Sequence, residues 1–345
     1  MVRPVNPDQR GRRPSLRDVA ARAGTSTAVV SYVINNGPRP VAPGTRARVE
    51  AAIVELGYRP DMLARAMRTR RTDTIALVVP DPANAFFAEI ARAVEDAAFD
   101  SGQRLLMAGS RFSADRERAQ LEVLLDARVD GVILVPTGDP EPPLDLLLHA
   151  GTPHVVLHRH LPGRAPSVSQ DDTDAGRQAA EHLLAHGHEV IACLSGPGAS
   201  TPIAERTAGL RDALGATGRP VPDDMMIVCD YDDPGSSAYT QTQRLLRRRP
   251  DLTALCTTTD EHALGALRAA QDAGRRIGTD LALVSIDGTR HTAHLSPPLT
   301  VVAAPFDDLG RHAVGLLAQR ASADAAIRLR ATLRARASCG CRPTQ

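Results

Sequence analysis

At 345 residues with 43% hydrophobic side chains, the chain is long enough for one small domain plus one large domain or a pair of lobes, and this composition excludes a disordered protein. The net charge of +1 hides a split: residues 1–72 carry 14 Arg against 5 Asp or Glu, and the rest 27 against 35, so a head at +9 precedes a body at −8 and the first expected partner is a polyanion such as nucleic acid. No stretch approaches the roughly 20 apolar residues of a membrane span, and the first fourteen residues hold no apolar run, so a cytoplasmic protein without a membrane partner is expected.

Residues 15–57 are predicted to form three short helices. Leu16, Val19, Ala20 and Ala23 recur at helical spacing in the first, and Gly24 ends it. Ser26 can cap the second, whose Val29, Val30, Val33 and Ile34 face inward until Asn35-Asn36-Gly37-Pro38 stops it. Thr45 is expected to cap the third, with Val49, Ala52, Ile53 and Leu56 as its buried stripe and Gly57 as its end. Pro60 then opens a short segment, Asp61 to Met67, before the link Arg68-Thr69-Arg70-Arg71.

Two helices joined by a tight glycine turn make a helix-turn-helix, which places its second helix in the major groove of DNA. The outward residues of that helix are Thr27, Ala28, Ser31, Tyr32 and Asn35. Thr27 and Ala28 can touch thymine methyls and Tyr32 can offer a hydroxyl or ring edge to bases, while Ser26, Ser31 and Asn35 can bond phosphates.

From Ile75 onward, apolar runs bounded by turn residues alternate with helical patterns of about 12 to 16 residues, the texture of repeated strand-helix-strand units. The predicted strands are Ile75 to Val79, Leu105 to Ala108, Val132 to Val135, Val155 to Leu157, Val190 to Leu194, Met226 to Cys229, Ala254 to Thr257, Leu281 to Ile286 and Thr300 to Ala303. Runs apolar on both faces fit parallel strands covered by helices on each side, in one sheet or two. Of the cysteines Cys193, Cys229, Cys256, Cys339 and Cys341, the first three fall in these runs and are expected to be reduced core residues.

Other signals lead nowhere on sequence alone. His182 and His186 stand four apart, with His188 close by, but no carboxylate or cysteine completes a convincing metal set; Cys339-Gly340-Cys341 is too short for a zinc ribbon and reads as a frayed strand end. Gly196-Pro197-Gly198 has Thr201 where a dinucleotide loop needs its third glycine. No nucleophile elbow, phosphate loop or paired carboxylates occur, so no catalytic residue, metal or cofactor is assigned.

The series Leu16-Arg17-Asp18-Val19-Ala20-Ala21-Arg22-Ala23-Gly24-Thr25-Ser26 and Val30-Ser31-Tyr32-Val33-Ile34-Asn35 resembles the head of the lactose/galactose repressor (LacI) family. The likeness continues through Leu56-Gly57-Tyr58-Arg59-Pro60, Val79-Pro80-Asp81, Asn84-Ala85-Phe86-Phe87, Val129-Asp130-Gly131-Val132-Ile133 and Pro297-Pro298-Leu299-Thr300. The resemblance implies an α/β protein: a flexible arm (1–14), a three-helix helix-turn-helix head (15–59), a hinge helix and linker (60–72), and a two-lobed periplasmic-binding-protein-like domain with parallel sheets for effector binding and dimerisation (73–345). Lobe 1 would take about 73–166 and 300–328, and lobe 2 about 167–299 and 329–340.

By the same resemblance the hinge lies in the minor groove, with Ala64 and Met67 contacting DNA and Met67, where Leu is usual, wedged into a base step. Asp81, Asn84, Phe86, Phe87 and Arg159 are implied to line the cleft from one lobe, and Arg206, Asp260 and Asp287 from the other. Thr259, Ile286, Ala304, His158 and Leu210 depart from the family's usual contact residues. Arg and Asp together suit a polyol or an anionic metabolite, while the absence of Trp and the few aromatics predict poor stacking on a hexose, and so an unusual effector or none. The implied function is a transcriptional repressor, bound to a pseudo-palindromic double-stranded operator and controlled by a small-molecule effector, a sugar or related metabolite. A homodimer or a tetramer is implied, and the lack of a leucine heptad in residues 329–345 favours the dimer.

Overall fold

A computed structural model describes residues 14–35, 37, 39–59, 71–198, 201–218, 221–230 and 233–341, and divides the chain into two compact units, 1–72 and 73–345. The hinge residues Ala64 and Met67 lie outside the described residues.

In the first unit, α1 (Leu16–Ala23), α2 (Thr27–Asn35) and α3 (Pro43–Leu56) close around Val19, Ala20, Ala23, Val30, Val33, Val49 and Ala52. A capping box starts α1: the Asp18 carboxylate accepts from Ser15 N at 2.7 Å while Ser15 Oγ accepts from Asp18 N. Gly24 and Gly57 end α1 and α3 in the left-handed region, at φ +63° and +61°. The expected cap at Thr45 is corrected. Pro43 sets the start of α3, because its fixed φ suits the first helical position and its missing N–H needs no partner there; Ala42 is the cap residue and Thr45 lies inside the first turn.

The second unit holds two six-stranded sheets. In the first, β2 (Arg104–Gly109), β1 (Thr74–Val79), β3 (Gly131–Leu134), β4 (His154–Leu157), β5 (Ser167–Gln170) and β11 (Ala326–Leu329) lie side by side, all parallel. In the second, β7 (Met226–Val228), β6 (Ile191–Ser195), β8 (Ala254–Thr257), β9 (Ala282–Asp287) and β10 (Thr300–Ala303) are parallel, and β12 (Thr332–Arg334) adds antiparallel to β10. Helices α4 (Ala85–Asp100), α5 (Ala114–Asp126), α6 (Glu141–His149) and α11 (Phe306–Gln319) accompany the first sheet. Helices α7 (Asp172–Ala185), α8 (Thr201–Gly215), α9 (Pro234–Arg248) and α10 (Asp260–Asp272) accompany the second.

The lobe boundaries drawn from sequence move by one strand at two crossings. Ser167–Gln170 belongs to the first sheet, paired with β4 and β11, and Thr300–Ala303 to the second, paired with β9. The chain crosses only after each strand has completed its sheet. Ser-Val-Ser-Gln carries no apolar run to announce such a strand, although all four residues are buried.

One packing contact fixes the lobe 2 side of the cleft. α7 and α8 cross backbone to backbone at a reciprocal glycine pair: a Cβ on Gly176 would stand 1.9 Å from Arg206 O, and one on Gly209 1.9 Å from Thr173 O. That close approach is what lets Arg206 on α8 reach Asp172 at the start of α7. Among the described residues no helix is long and apolar enough to cross a membrane.

Candidate functional sites

The carboxyl ends of β1, β3 and β4 face those of β6, β8 and β9 across a cavity of about 430 Å³. Small-molecule sites in open α/β sheets occupy this position, and their volumes run from roughly 300 to 1,000 Å³. Asp81, Asn84, Phe86, Phe87 and Arg159 line it from lobe 1, with Arg206 and Asp287 from lobe 2.

Asp260, expected beside them, is not among the lining residues. Its carboxylate accepts from Ser285 Oγ at 2.7 Å and from both the backbone N and the hydroxyl of Thr289 at 2.8 Å, and its own N–H donates to Asp287 Oδ2. Asp260 is therefore a positioning residue that stiffens the Asp287 turn, because three of its oxygen bonds are spent inside lobe 2.

On the lobe 2 face, Arg206 is buried with a carboxylate on two sides. Its Nε donates to Asp172 Oδ1 at 2.6 Å and its Nη1 to Asp287 Oδ1 at 2.7 Å and to Thr258 O. Its Nη2 is also buried and has no hydrogen-bond partner among the described residues. Asp287 ends β9 at φ +125°, a region that costs a residue with a side chain energy and that concentrates at ligand sites. Burial pushes its carboxyl up to about 7, against the pull of Arg206 and with the help of the nearby Asp260 charge. Burial likewise raises Asp172.

The lobe 1 face is aromatic. Phe86 and Phe87 meet edge to face with centroids 5.3 Å apart, Phe306 backs Phe86 at 5.5 Å, and Phe112 lies 6.4 Å from Phe87. His158 rests on Phe86 at 4.7 Å, and burial followed by the charges of Arg206 and Arg159 holds it far below the usual imidazole range, hence neutral. Arg159 anchors the β3 turn by donating to Gly138 O at 2.7 Å and Pro136 O at 3.2 Å. Of five phenylalanines in the chain, Phe86, Phe87 and Phe112 line this one cavity, so the few aromatics are concentrated in its wall. Total aromatic content said nothing about where the rings gather.

Thr259 and His158, two of the altered family contact positions, line the cavity, whereas sequence reasoning missed Phe112, Thr137 and Glu261. Their shared signal is position, since they follow the ends of β2, β3 and β8. The lobes are also tied directly: Arg290, just past β9, forks onto Glu89 of α4 with bonds of 2.6 and 2.9 Å.

In the head, Ser26 Oγ accepts from Val29 N and caps α2. Ser26, Thr27 and Ala28 are exposed at its N-terminus, as is Asn35 at its far end. Ser31 and Tyr32 are half-buried. Asn35 Nδ2 donates to Ser31 O at 2.8 Å, and Tyr32 packs on Gly37, where a Cβ would stand 2.6 Å from its ring. Thr27 and Ala28 are therefore exposed side chains of the first turn of α2, and Tyr32 is held against Gly37.

A helix-turn-helix head joined in one chain to a two-lobed cleft domain defines a ligand-responsive DNA-binding protein. Residues 72–336 match the periplasmic binding proteins and sugar binding domain of the LacI family, and residues 15–61 match the bacterial regulatory proteins of the lacI family. The HTH-type transcriptional regulator CelR of Thermobifida fusca is 38% identical over 321 residues, covering 90% of this chain and 93% of that one. The ribose operon repressor of Escherichia coli (strain K12) is 32% identical over 308 residues, covering 89% and 92%. Among solved structures, the lac repressor dimer bound to operator and the anti-inducer ONPF superposes with a TM-score of 0.83 at 28% identity, over 95% of this chain and 99% of that one. The CelR–cellobiose complex gives 0.70 at 34%, over 94% and 100%. The chain belongs to the LacI family, non-enzymatic bacterial transcriptional regulators with a DNA-binding head and an effector-binding domain of the periplasmic-binding-protein type.

Proposed function

We propose that the protein is a homodimeric repressor that grips a pseudo-palindromic operator and responds to a neutral, hydroxyl-rich effector held between the two lobes. The observation that carries the effector reading is Arg206: a buried guanidinium at the cavity wall, with Nη2 lacking a partner among the described residues, leaves a charged donor unsatisfied unless a ligand oxygen meets it. A neutral ligand fits better than an anion. Arg159 is occupied by two carbonyls, Arg206 already serves two carboxylates, and Asp81 and Glu261 add negative charge to the wall. Hydroxyls donating to Asp287 and accepting from Arg206, with the ring lying on Phe86, Phe87 and Phe112, describe a sugar.

Ser26, Thr27, Ala28, Ser31, Tyr32 and Asn35 are assigned to the major groove, and residues 60–72, with Ala64 and Met67, to a minor-groove hinge. Binding that favours one lobe arrangement shifts an existing equilibrium and changes operator affinity by the coupling energy. The test has two arms. Genomic fragments selected by the purified protein at near-physiological salt should share a pseudo-palindrome, and retention without a shared motif would overturn sequence-specific repression. A sugar panel that includes cellobiose, because of the CelR likeness, should contain a member that raises the melting temperature of the wild type and not of Asp287→Ala. A panel without effect, repeated with anionic metabolites that do stabilise, would overturn the neutral-ligand reading.

A further inference from the structure

Away from the cleft, the structure brings together four metal-ligating side chains that lie far apart in sequence. His182 and His186 stand one turn apart at the end of α7, with ring centroids 4.6 Å apart, and the C-terminal segment delivers Cys339 and Cys341 beside them. The donor atoms of all four lie within 4.8 Å of one another. We propose that His182, His186, Cys339 and Cys341 form a zinc(II) site that staples the C-terminal segment to α7 of lobe 2.

Two imidazoles and two thiols are a borderline-soft combination that selects tetrahedral zinc over the oxygen-seeking cations. With Zn–S near 2.3 Å and Zn–N near 2.0 Å, the ligand atoms of a tetrahedron stand about 3.3 to 3.8 Å apart. Cys341 Sγ lies 2.9 Å from His186 Nε2 and 3.6 Å from His182 Nε2, so small side-chain rotations reach that geometry.

The backbone makes the short Cys-Gly-Cys spacing workable. Gly340 adopts φ +82°, and the resulting turn aims both sulfurs at one point. The turn itself is pinned: Ser338 Oγ donates to Leu283 O at 2.6 Å and accepts from Thr300 N at 2.7 Å, and Ser338 N donates to Pro298 O. Thr300 Oγ1 lies 3.0 Å from Cys339 Sγ, the place of an outer donor to a metal-bound thiolate. None of the four ligands lines the effector cavity, so the site stands apart from that chemistry. The sequence reading stopped at the histidine pair because its partners are more than 150 residues away along the chain.

Binding would release both thiol protons to solvent as the thiolates form. The full-length reduced protein, incubated with zinc chloride and passed through gel filtration, should retain one zinc per chain by elemental analysis, and chelation should lower its melting temperature. Cys341→Ser and His186→Gln should each reduce retained zinc to background and abolish the effect of chelator on melting. His188→Gln, a neighbouring histidine outside the cluster, should keep both. Background zinc in the reduced wild type, or full zinc retention in the Cys341→Ser, His186→Gln double variant, would overturn the site.

Discussion

The two faces of the cleft are built from opposite materials. On lobe 2, the wall is a buried electrostatic cluster: Arg206 bonded to Asp172 and Asp287, with Asp260 fixing the Asp287 turn from behind. On lobe 1, the wall is a set of phenyl rings, carried by α4 and the loop after β2 and joined by a neutral His158. The charged face cannot relax without exposing unpaired charge, whereas the phenyl face is held by apolar packing alone, with Phe86 and Phe87 seated in the lobe 1 core. The polar groups of the cavity are therefore fixed on lobe 2, and lobe 1 supplies its apolar area.

The largest effect expected from this division comes from the charged face. Arg206→Ala leaves Asp172 and Asp287 buried without their cation, a change that costs about 3 to 5 kcal/mol. Denaturant unfolding of the unliganded protein measures it. A loss under about 1 kcal/mol would mean that the cluster relaxes freely and that the two faces do not differ in stiffness. The aromatic face predicts the reverse pattern. Phe112 is 39% exposed, so Phe112→Ala should leave stability within about 1 kcal/mol while weakening effector affinity about tenfold, near 1.4 kcal/mol. Calorimetric titration with the effector found by the panel checks the second figure.

How much of this was legible in the chain follows from the range of each signal. Apolar runs are local, and all nine expected strands stand within one residue of the observed ones at each end, as Ala254–Thr257 and Thr300–Ala303 illustrate. Ser167–Gln170, Ala326–Leu329 and Thr332–Arg334 escaped because their residues are polar or alternate at a sheet margin, and only neighbouring strands make them strands. Arg206 and Asp287 were visible through the resemblance, but what each is bonded to was not: their contact depends on the Gly176–Gly209 crossing, a tertiary fact. Asp260 was misread for the same reason, since a carboxylate at the end of a strand looks identical in sequence whether it faces a ligand or a threonine.

A smaller test concerns the tie between the faces. Glu89→Gln keeps the shape of the side chain and removes its charge from both Arg290 and Arg92, whose side chains are 59% and 39% exposed, so stability should change by only about 1 kcal/mol. Effector affinity should move more than stability does, because the pair bridges α4 and the turn after β9 and biases lobe closure. Equal small changes in both would reduce the bridge to an ordinary surface pair.

The subtlest readout is a slope with pH. Burial raises Asp287 to about 7, so between roughly pH 4 and 7 the folded protein holds a proton that the unfolded chain has lost. Folded molecules then bind more protons than unfolded ones, and the contribution of Asp287 to stability falls as the pH rises through that window. Asp287→Asn removes this contribution, so the melting temperature of the wild type relative to the variant should be highest near pH 4, decline up to about pH 7 and level off above it. The buried His262, held neutral at about 4, contributes the opposite slope and is common to both proteins, so the difference cancels it. A wild-type advantage that stays flat from pH 5 to pH 8 would mean that Arg206 keeps Asp287 ionised throughout. The lobe 2 wall would then offer a permanent carboxylate acceptor, and effector binding would lose the pH dependence that a proton shared between Asp287 and a ligand hydroxyl must otherwise impose.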